Sequence, residues 1–151
     1  MVQQIFLCFL AAVLLAAPYI EPALFPLAWL AFVPFFWVVE GAQKPRRAIF
    51  YGWLTGLFAH LAGFHWLVYT ISVFGGFPYA ASVPIFLIYA ALQGLQMALF
   101  AALVRAAGFG PLLLFPALLW VPLEFFFPLL FPWYLANSQG EFSWFVQTAD
   151  L

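Results

Sequence analysis

The amino-acid sequence predicts an all-α, polytopic bundle of transmembrane helices, about five spans and the start of a sixth, on three observations. Hydrophobic residues fill 68% of the 151 positions and charged residues only 6%, against about 25% charged in a soluble domain. Pro, Gly and charged clusters cut the chain into segments close to the roughly 20 helical residues that span a hydrocarbon core about 30 Å thick. All four basic residues, Lys44, Arg46, Arg47 and Arg105, fall in two of the breaks, and Lys and Arg mark the cytoplasmic side of a membrane.

The first span is expected over 2–17 and ends at Pro18-Tyr19-Ile20-Glu21-Pro22. Its sequence, VQQIFLCFLAAVLLAAP, lacks the basic start of a signal peptide and is followed by further apolar segments, so it reads as a retained helix. The second, over 23–39, carries Pro26 and Pro34 and should kink or start late. The third, over 48–73, ends at Gly75-Gly76-Phe77-Pro78, and the fourth, over 79–104, stops at Arg105. The fifth, over 112–127, stops at Pro128. Parity then places the N-terminus in the cytoplasm. The segments 18–22, 74–78 and everything after 127 face the other side.

Helices in lipid gain contact energy chiefly by close backbone approach, which small residues permit. Gly52, Gly56, Ala59 and Gly63 form such a stripe on the third span, and Ala90, Gly94, Ala98 and Ala101 form one on the fourth. Both are expected to be packing seams.

Few residues can carry chemistry. His60 lies about 15 Å along the third helix from Phe50 at 1.5 Å per residue, near mid-membrane, where an ionisable group is a functional candidate. The alternative is a neutral imidazole hydrogen-bonded to a neighbouring helix. His65 stands about 140° further round the helix, so the two cannot hold one metal from one face. Trp66, Tyr69 and Thr70 bring the third span to the outer interface, where Trp and Tyr anchor at headgroup depth. Gly75-Gly76-Phe77-Pro78 either shapes a lipid entrance or connects two helices. Glu124, inside PALLWVPLEFFFP, must be paired, hydrated or protonated. No Lys or Arg follows it, so its expected partner in the chain is Asn137, Gln139 or a His. Cys8 is the only cysteine, which excludes an internal disulfide, and an apolar helix hides its thiol from water. No G-x-S-x-G elbow or phosphate-cradling Gly loop occurs, and neither a cofactor nor a metal is expected. The net charge of −1 gives no footprint for nucleic acid or for polybasic lipid binding.

APYIEPALFPLAWLAFVPF, then PRR, GFHWLVYTISVFGGFP, LLFPALLWVPLEFFFPLLFPWYLANSQ and a closing QTADL occur in that order. This order resembles the amino-terminal membrane domain of bacterial apolipoprotein N-acyltransferase over nearly the whole chain. The strongest signals are Trp66 through Pro78 and Glu124 through Gln139. The resemblance implies one amino-terminal transmembrane domain over 1–151, with 128–151 an outer-face segment and the start of the next helix, in the bacterial inner membrane. It implies an enzyme that transfers an acyl chain from phospholipid to the α-amino group of the diacylglyceryl-cysteine of apolipoproteins. The partners it implies are membrane phospholipid, the apolipoprotein substrate, and a nitrilase-like α/β domain in cis or in trans. That domain supplies the Glu, Lys and Cys of a ping-pong reaction, and is expected to lie beyond this chain. No catalytic residue is therefore expected here, and the chain alone should not be catalytic. Trp66, Gly75, Gly76 and Pro78, with Glu124, Phe131, Pro132 and Trp133, are the expected lipid or interdomain contacts. The Arg-Gly-Trp step of many members is replaced by Phe125-Phe126-Phe127-Pro128. Two other readings stay open: a membrane-only scaffold for a separate nitrilase-like subunit, and a small transporter or channel with His60 in its path.

In the closing stretch LFPWYLANSQGEFSWFVQTADL, Phe131 to Trp133 reads as an interfacial anchor and Asn137 to Gln139 as a polar turn. A sixth helix is expected to start at Glu141 or Ser143, with Phe142, Phe145, Val146 and Ala149 on its apolar face.

Overall fold

Pro and Gly set most of the helix limits in the computed structural model, which describes residues 2–108, 114–131, 133–143 and 147. Helix α1 runs Val2–Ile20, and a 3-10 turn at Pro22–Leu24 leads into α2, Pro26–Glu40. Then follow α3 (Pro45–Gly63), α4 (Leu67–Gly75), α5 (Tyr79–Gln93), α6 (Leu95–Ala107) and α7 (Leu114–Phe126), with a closing 3-10 turn at Leu135–Gln139. Among the described residues there is no strand. The first residues of α2 and α3 are Pro26 and Pro45, whose fixed φ suits the first helical position and whose missing N–H costs nothing there. Lys44, ahead of Pro45, is extended at φ −122° and ψ 139°, as a residue before proline prefers. Helix α4 stops at Gly76, whose φ of +69° is open to glycine and strained for other residues.

Gly94 keeps helical angles, so α5 and α6 form one continuous 29-residue helix over Tyr79–Ala107. That helix and Val2–Ile20 are each long and apolar enough to cross a membrane. A third crossing is counted if α3 and α4 are taken together, although they meet at a bend of 63°. Pro26–Glu40 and Pro116–Phe126 are shorter apolar helices. The third segment, expected to run unbroken over 48–73, is thus divided. Gly63 is the last residue of α3, and Phe64 leaves helical geometry at φ −118° and ψ 18°. The expected sixth helix falls mainly on residues outside those described, including Phe145, Val146 and Ala149.

The small-residue stripes form a seam, and they pack against each other. A Cβ on Gly52 would stand 2.5 Å from the Met97 carbonyl oxygen and 2.7 Å from the Ala101 Cβ. On Gly56 it would stand 2.8 Å from the Gly94 Cα, and on Gly94 2.9 Å from the Leu57 backbone nitrogen. Real Cβ atoms do not come this close, so α3 and α6 approach at a distance that glycine alone permits. The Trp53 indole closes the seam by donating to the Ala91 carbonyl at 2.9 Å. Beside it, Phe35 stacks on Phe100 at 5.7 Å, and Trp120 of α7 meets Phe100 edge-on at 4.9 Å and Phe32 at 6.0 Å. Each such pair adds about 0.5–1.5 kcal/mol beyond area burial. Together they hold α7 against α2 and α6.

The two ends of the bundle differ. At one end, Arg105 Nη2 donates to the Ala42 carbonyl at 3.2 Å, which brings the end of α6 to the loop that carries Lys44 and leads into Arg46 and Arg47 in the first turn of α3. The four basic residues therefore share one end. At the other, residues 128–131 and 133–139 fold back among the ends of α1, α2, α3 and α7.

Candidate functional site

Helix α7 ends where Pro128 cannot continue it, and the last helical bond is Phe127 N–H to the Leu123 carbonyl at 2.9 Å. The chain then turns inward. The Pro128 carbonyl accepts from Gln93 Nε2 at 3.3 Å, and Phe131 lies edge-on to Tyr89 of α5 at 5.9 Å and to Trp66 at 6.3 Å. Trp133 goes deepest. It meets His60 at 4.6 Å, Phe64 at 5.5 Å and Tyr19 at 5.2 Å, all edge to face.

Polar bonds fix this returning segment from several sides. The Leu135 N–H donates to Glu124 Oε1 at 2.6 Å, which ties the segment to α7. Tyr19 donates its hydroxyl hydrogen to the Tyr134 carbonyl at 2.8 Å, which ties it to α1. Gln139 does the same for α2: its Oε1 accepts from the Trp29 indole at 2.9 Å and its Nε2 donates to the Phe25 carbonyl at 3.2 Å. Ser138 Oγ donates to the Leu135 carbonyl at 2.6 Å inside the 3-10 turn. Each bond of this kind is worth about 0.5–1.5 kcal/mol net, more where an ionised group takes part.

His60 is the buried polar group at the centre of these contacts, with 1% of its surface exposed. Its Nδ1 donates to the Gly56 carbonyl of its own helix at 2.8 Å. In the neutral ring that leaves Nε2 as an acceptor, and Nε2 has no partner. Phe64 stacks on the ring at 5.4 Å and Tyr89 meets it edge-on at 5.8 Å. The Trp133 indole N–H and Gln93 Oε1, also buried, reach no partner either. These three atoms lie in or beside one returning segment, and Gln4 Oε1, Gln96 Nε2 and Trp120 Nε1 are likewise unmatched elsewhere among the described residues.

A family model described as the apolipoprotein N-acyltransferase N-terminal domain matches residues 11–151. The chain belongs to the apolipoprotein N-acyltransferase family. An apolipoprotein N-acyltransferase of Geobacter metallireducens is 35% identical over 149 residues, covering 94% of this chain and 28% of that protein. Apolipoprotein N-acyltransferase 2 of Leptospira interrogans is 29% identical over 82% of this chain and 21% of its own length, and a Bdellovibrio bacteriovorus apolipoprotein N-acyltransferase is 30% identical over 68% and 20%. The chain spans less than a third of each of these relatives. No solved structure matches it significantly.

The residues that the resemblance to apolipoprotein N-acyltransferase singled out fall into two groups. Trp66, Phe131 and Trp133 come together around Tyr89, Phe64 and His60, and Glu124 joins them through Leu135. Gly75, Gly76 and Pro78 lie apart, at the turn between α4 and α5, which Ser72 Oγ braces by donating to the Phe77 carbonyl at 3.1 Å. Pro132 lies outside the described residues. The Glu124 partner differs from the expected side chain, because a backbone N–H fills that place and Gln139 is engaged by α2. His60 bonds within its own helix and lies near the end of α3, since that helix ends early. His65 is exposed and bonds the Ala62 carbonyl at 2.9 Å. Cys8 is fully buried, and no group of three His, Cys, Asp or Glu among the described residues could hold a metal. Sequence reasoning missed Tyr19, Tyr89 and Gln93. Gln93 had a signal: it is an amide inside an otherwise apolar segment, where polar groups are expensive.

Proposed function

We propose that this chain is the membrane domain of an apolipoprotein N-acyltransferase, the enzyme that moves an acyl chain from phospholipid to the N-terminal diacylglyceryl-cysteine of apolipoproteins. The observation that carries this reading is the family match over residues 11–151. In it the chain crosses the bacterial inner membrane five times, through α1, α2, the bent α3–α4 pair, the α5–α6 helix and α7, with its N-terminus in the cytoplasm. Contacts support this parity: Trp133 meets the ends of α1 and α3, Glu124 near the end of α7 bonds the same segment at Leu135, and the Arg105–Ala42 bond lies at the other end of the bundle.

In this reading the returning segment 128–139 is the outer floor on which a nitrilase-like catalytic domain stands. Trp66, Phe131, Trp133 and Glu124 shape and position that floor, and the Gly75–Pro78 turn borders it; none of them makes or breaks a bond. The test is complementation. A full-length protein containing this sequence should restore N-acylation of apolipoproteins in a strain depleted of its own enzyme, read by mass spectrometry of a lipoprotein N-terminus. Stable membrane expression with no acylation would sink the assignment.

A further inference from the structure

We propose that the end of the bundle carrying Lys44, Arg46, Arg47 and Arg105 binds the phosphate of an anionic phospholipid headgroup, an inference that rests on the membrane placement proposed above. All the lysines and arginines of the sequence are these four, and they come from two helices far apart in the chain. The bond from Arg105 to the Ala42 carbonyl joins residues separated by 63 positions, so the cluster is a product of the fold. One guanidinium nitrogen is committed to that carbonyl, which fixes where the remaining Arg105 donors stand.

The cluster is poorly compensated by the protein itself. Glu40, the last residue of α2, is the one acid next to the loop, which leaves a charge of 4 − 1 = +3 there. Among the described residues no carboxylate lies within 4.0 Å of any of the four cations, and all four are exposed. Arg46 and Arg47 also stand in the first turn of α3, against the positive end of the helix dipole. The first turn holds no acid, and Lys44 at its start gives no side-chain cap. An anion between the loop and Arg105 relieves both the mutual repulsion and the dipole.

The surroundings favour a lipid over a free ion. Trp37, one turn before the loop, is 70% exposed, as an indole at headgroup depth is. A small cleft lined by Gln3, Gln4, Leu7, Trp37, Val38 and Gly41 adjoins Ala42 in the chain and combines two amides with apolar walls. Basic pockets between helices on the cytoplasmic side bind anionic headgroups in this way.

The test compares thermal unfolding of the full-length protein, followed by tryptophan emission, in nanodiscs of phosphatidylcholine and in nanodiscs of equal parts phosphatidylcholine and phosphatidylglycerol. Phosphatidylglycerol should raise the midpoint. The triple variant K44Q/R46Q/R47Q and the single variant R105Q should each lose at least half of that rise, and Glu40→Gln should enlarge it. An undiminished rise in both basic variants, or no response to Glu40→Gln, would overturn the site. Inorganic phosphate added to phosphatidylcholine nanodiscs should not reproduce the rise; if it does, the occupant is a free anion and the lipid assignment is overturned. The readout is lipid binding, so failed complementation leaves it standing, and a failed lipid response leaves the acyltransferase reading to its own assay.

Discussion

The glycine seam between α3 and α6 is buried, whereas the returning segment around Trp133 is largely exposed, Leu130 at 73% and Tyr134 at 44%, and the two are built on opposite principles. In the seam the contacts are backbone against backbone: Gly52, Gly56 and Gly94 leave no room for a methyl group. Around Trp133 the contacts are side chain against side chain, aromatic edges closing on His60, and the polar atoms of His60, Gln93 and Trp133 are left unmatched. The seam helix α6 is not free of such atoms, since buried Gln96 Nε2 also reaches no partner, and each unsatisfied buried group costs about 1–3 kcal/mol. The two regions differ in what makes the contact, backbone in one and aromatic side chains in the other.

The sharpest way to break this contrast is to put a side chain into the seam. Gly56→Val should cost about 3 kcal/mol or more, since overpacking alone costs about 1–3 kcal/mol and here the obstacle is backbone that cannot rotate away. Loss of folded protein after membrane extraction, judged by size-exclusion profile and unfolding midpoint, checks it. Gly63→Ala is the control on the same stripe. Its Cβ would meet only the Ala16 methyl at 3.7 Å, an ordinary contact, so stability should stay within about 0.5 kcal/mol.

Removing Glu124 comes next in size. Glu124→Ala strands the Leu135 N–H, for an expected loss of about 1–3 kcal/mol, whereas Glu124→Gln keeps an acceptor and should recover most of it. Equal losses in the two variants would mean that the carboxylate serves something other than Leu135. His60→Phe keeps the ring in its aromatic surroundings and deletes the unmatched nitrogen. Stability should hold within about 1 kcal/mol while N-acylation by the full-length protein falls. Unchanged acylation would reduce His60 to packing. The smallest effect is expected for Tyr19→Phe, which removes one hydrogen bond to the Tyr134 carbonyl and should lower stability by about 1 kcal/mol.

The seam could be read from the sequence because its cause is local and periodic: small residues three and four apart lie on one helix face whatever the partner is. The aromatic residues Trp66, Phe131 and Trp133 were legible through family likeness, and His60 through its rarity in an apolar run. The partner of Glu124 was not, since a backbone N–H has no residue type to betray it. Nor was the bend after Gly63. That glycine served equally well as a packing residue and as a helix end, and no proline marked the break. Tyr19 and Tyr89 carried no signal of their own; the fold brings Trp133 to Tyr19 and Phe131 to Tyr89.

Gln139 holds Trp29 and the Phe25 carbonyl across 110 and 114 positions of chain, and this has a consequence for synthesis. Translation adds about 5–20 residues per second. At the slower rate about 20 seconds pass between the appearance of Trp29 and that of Gln139, and at the faster rate about 5 seconds. Throughout that interval the helical hairpin of α1 and α2 stands in the nascent protein without the Gln139 contacts that close one of its ends. Whatever lipid, water or insertion factor occupies that end must leave before the ribosome's later product can close it.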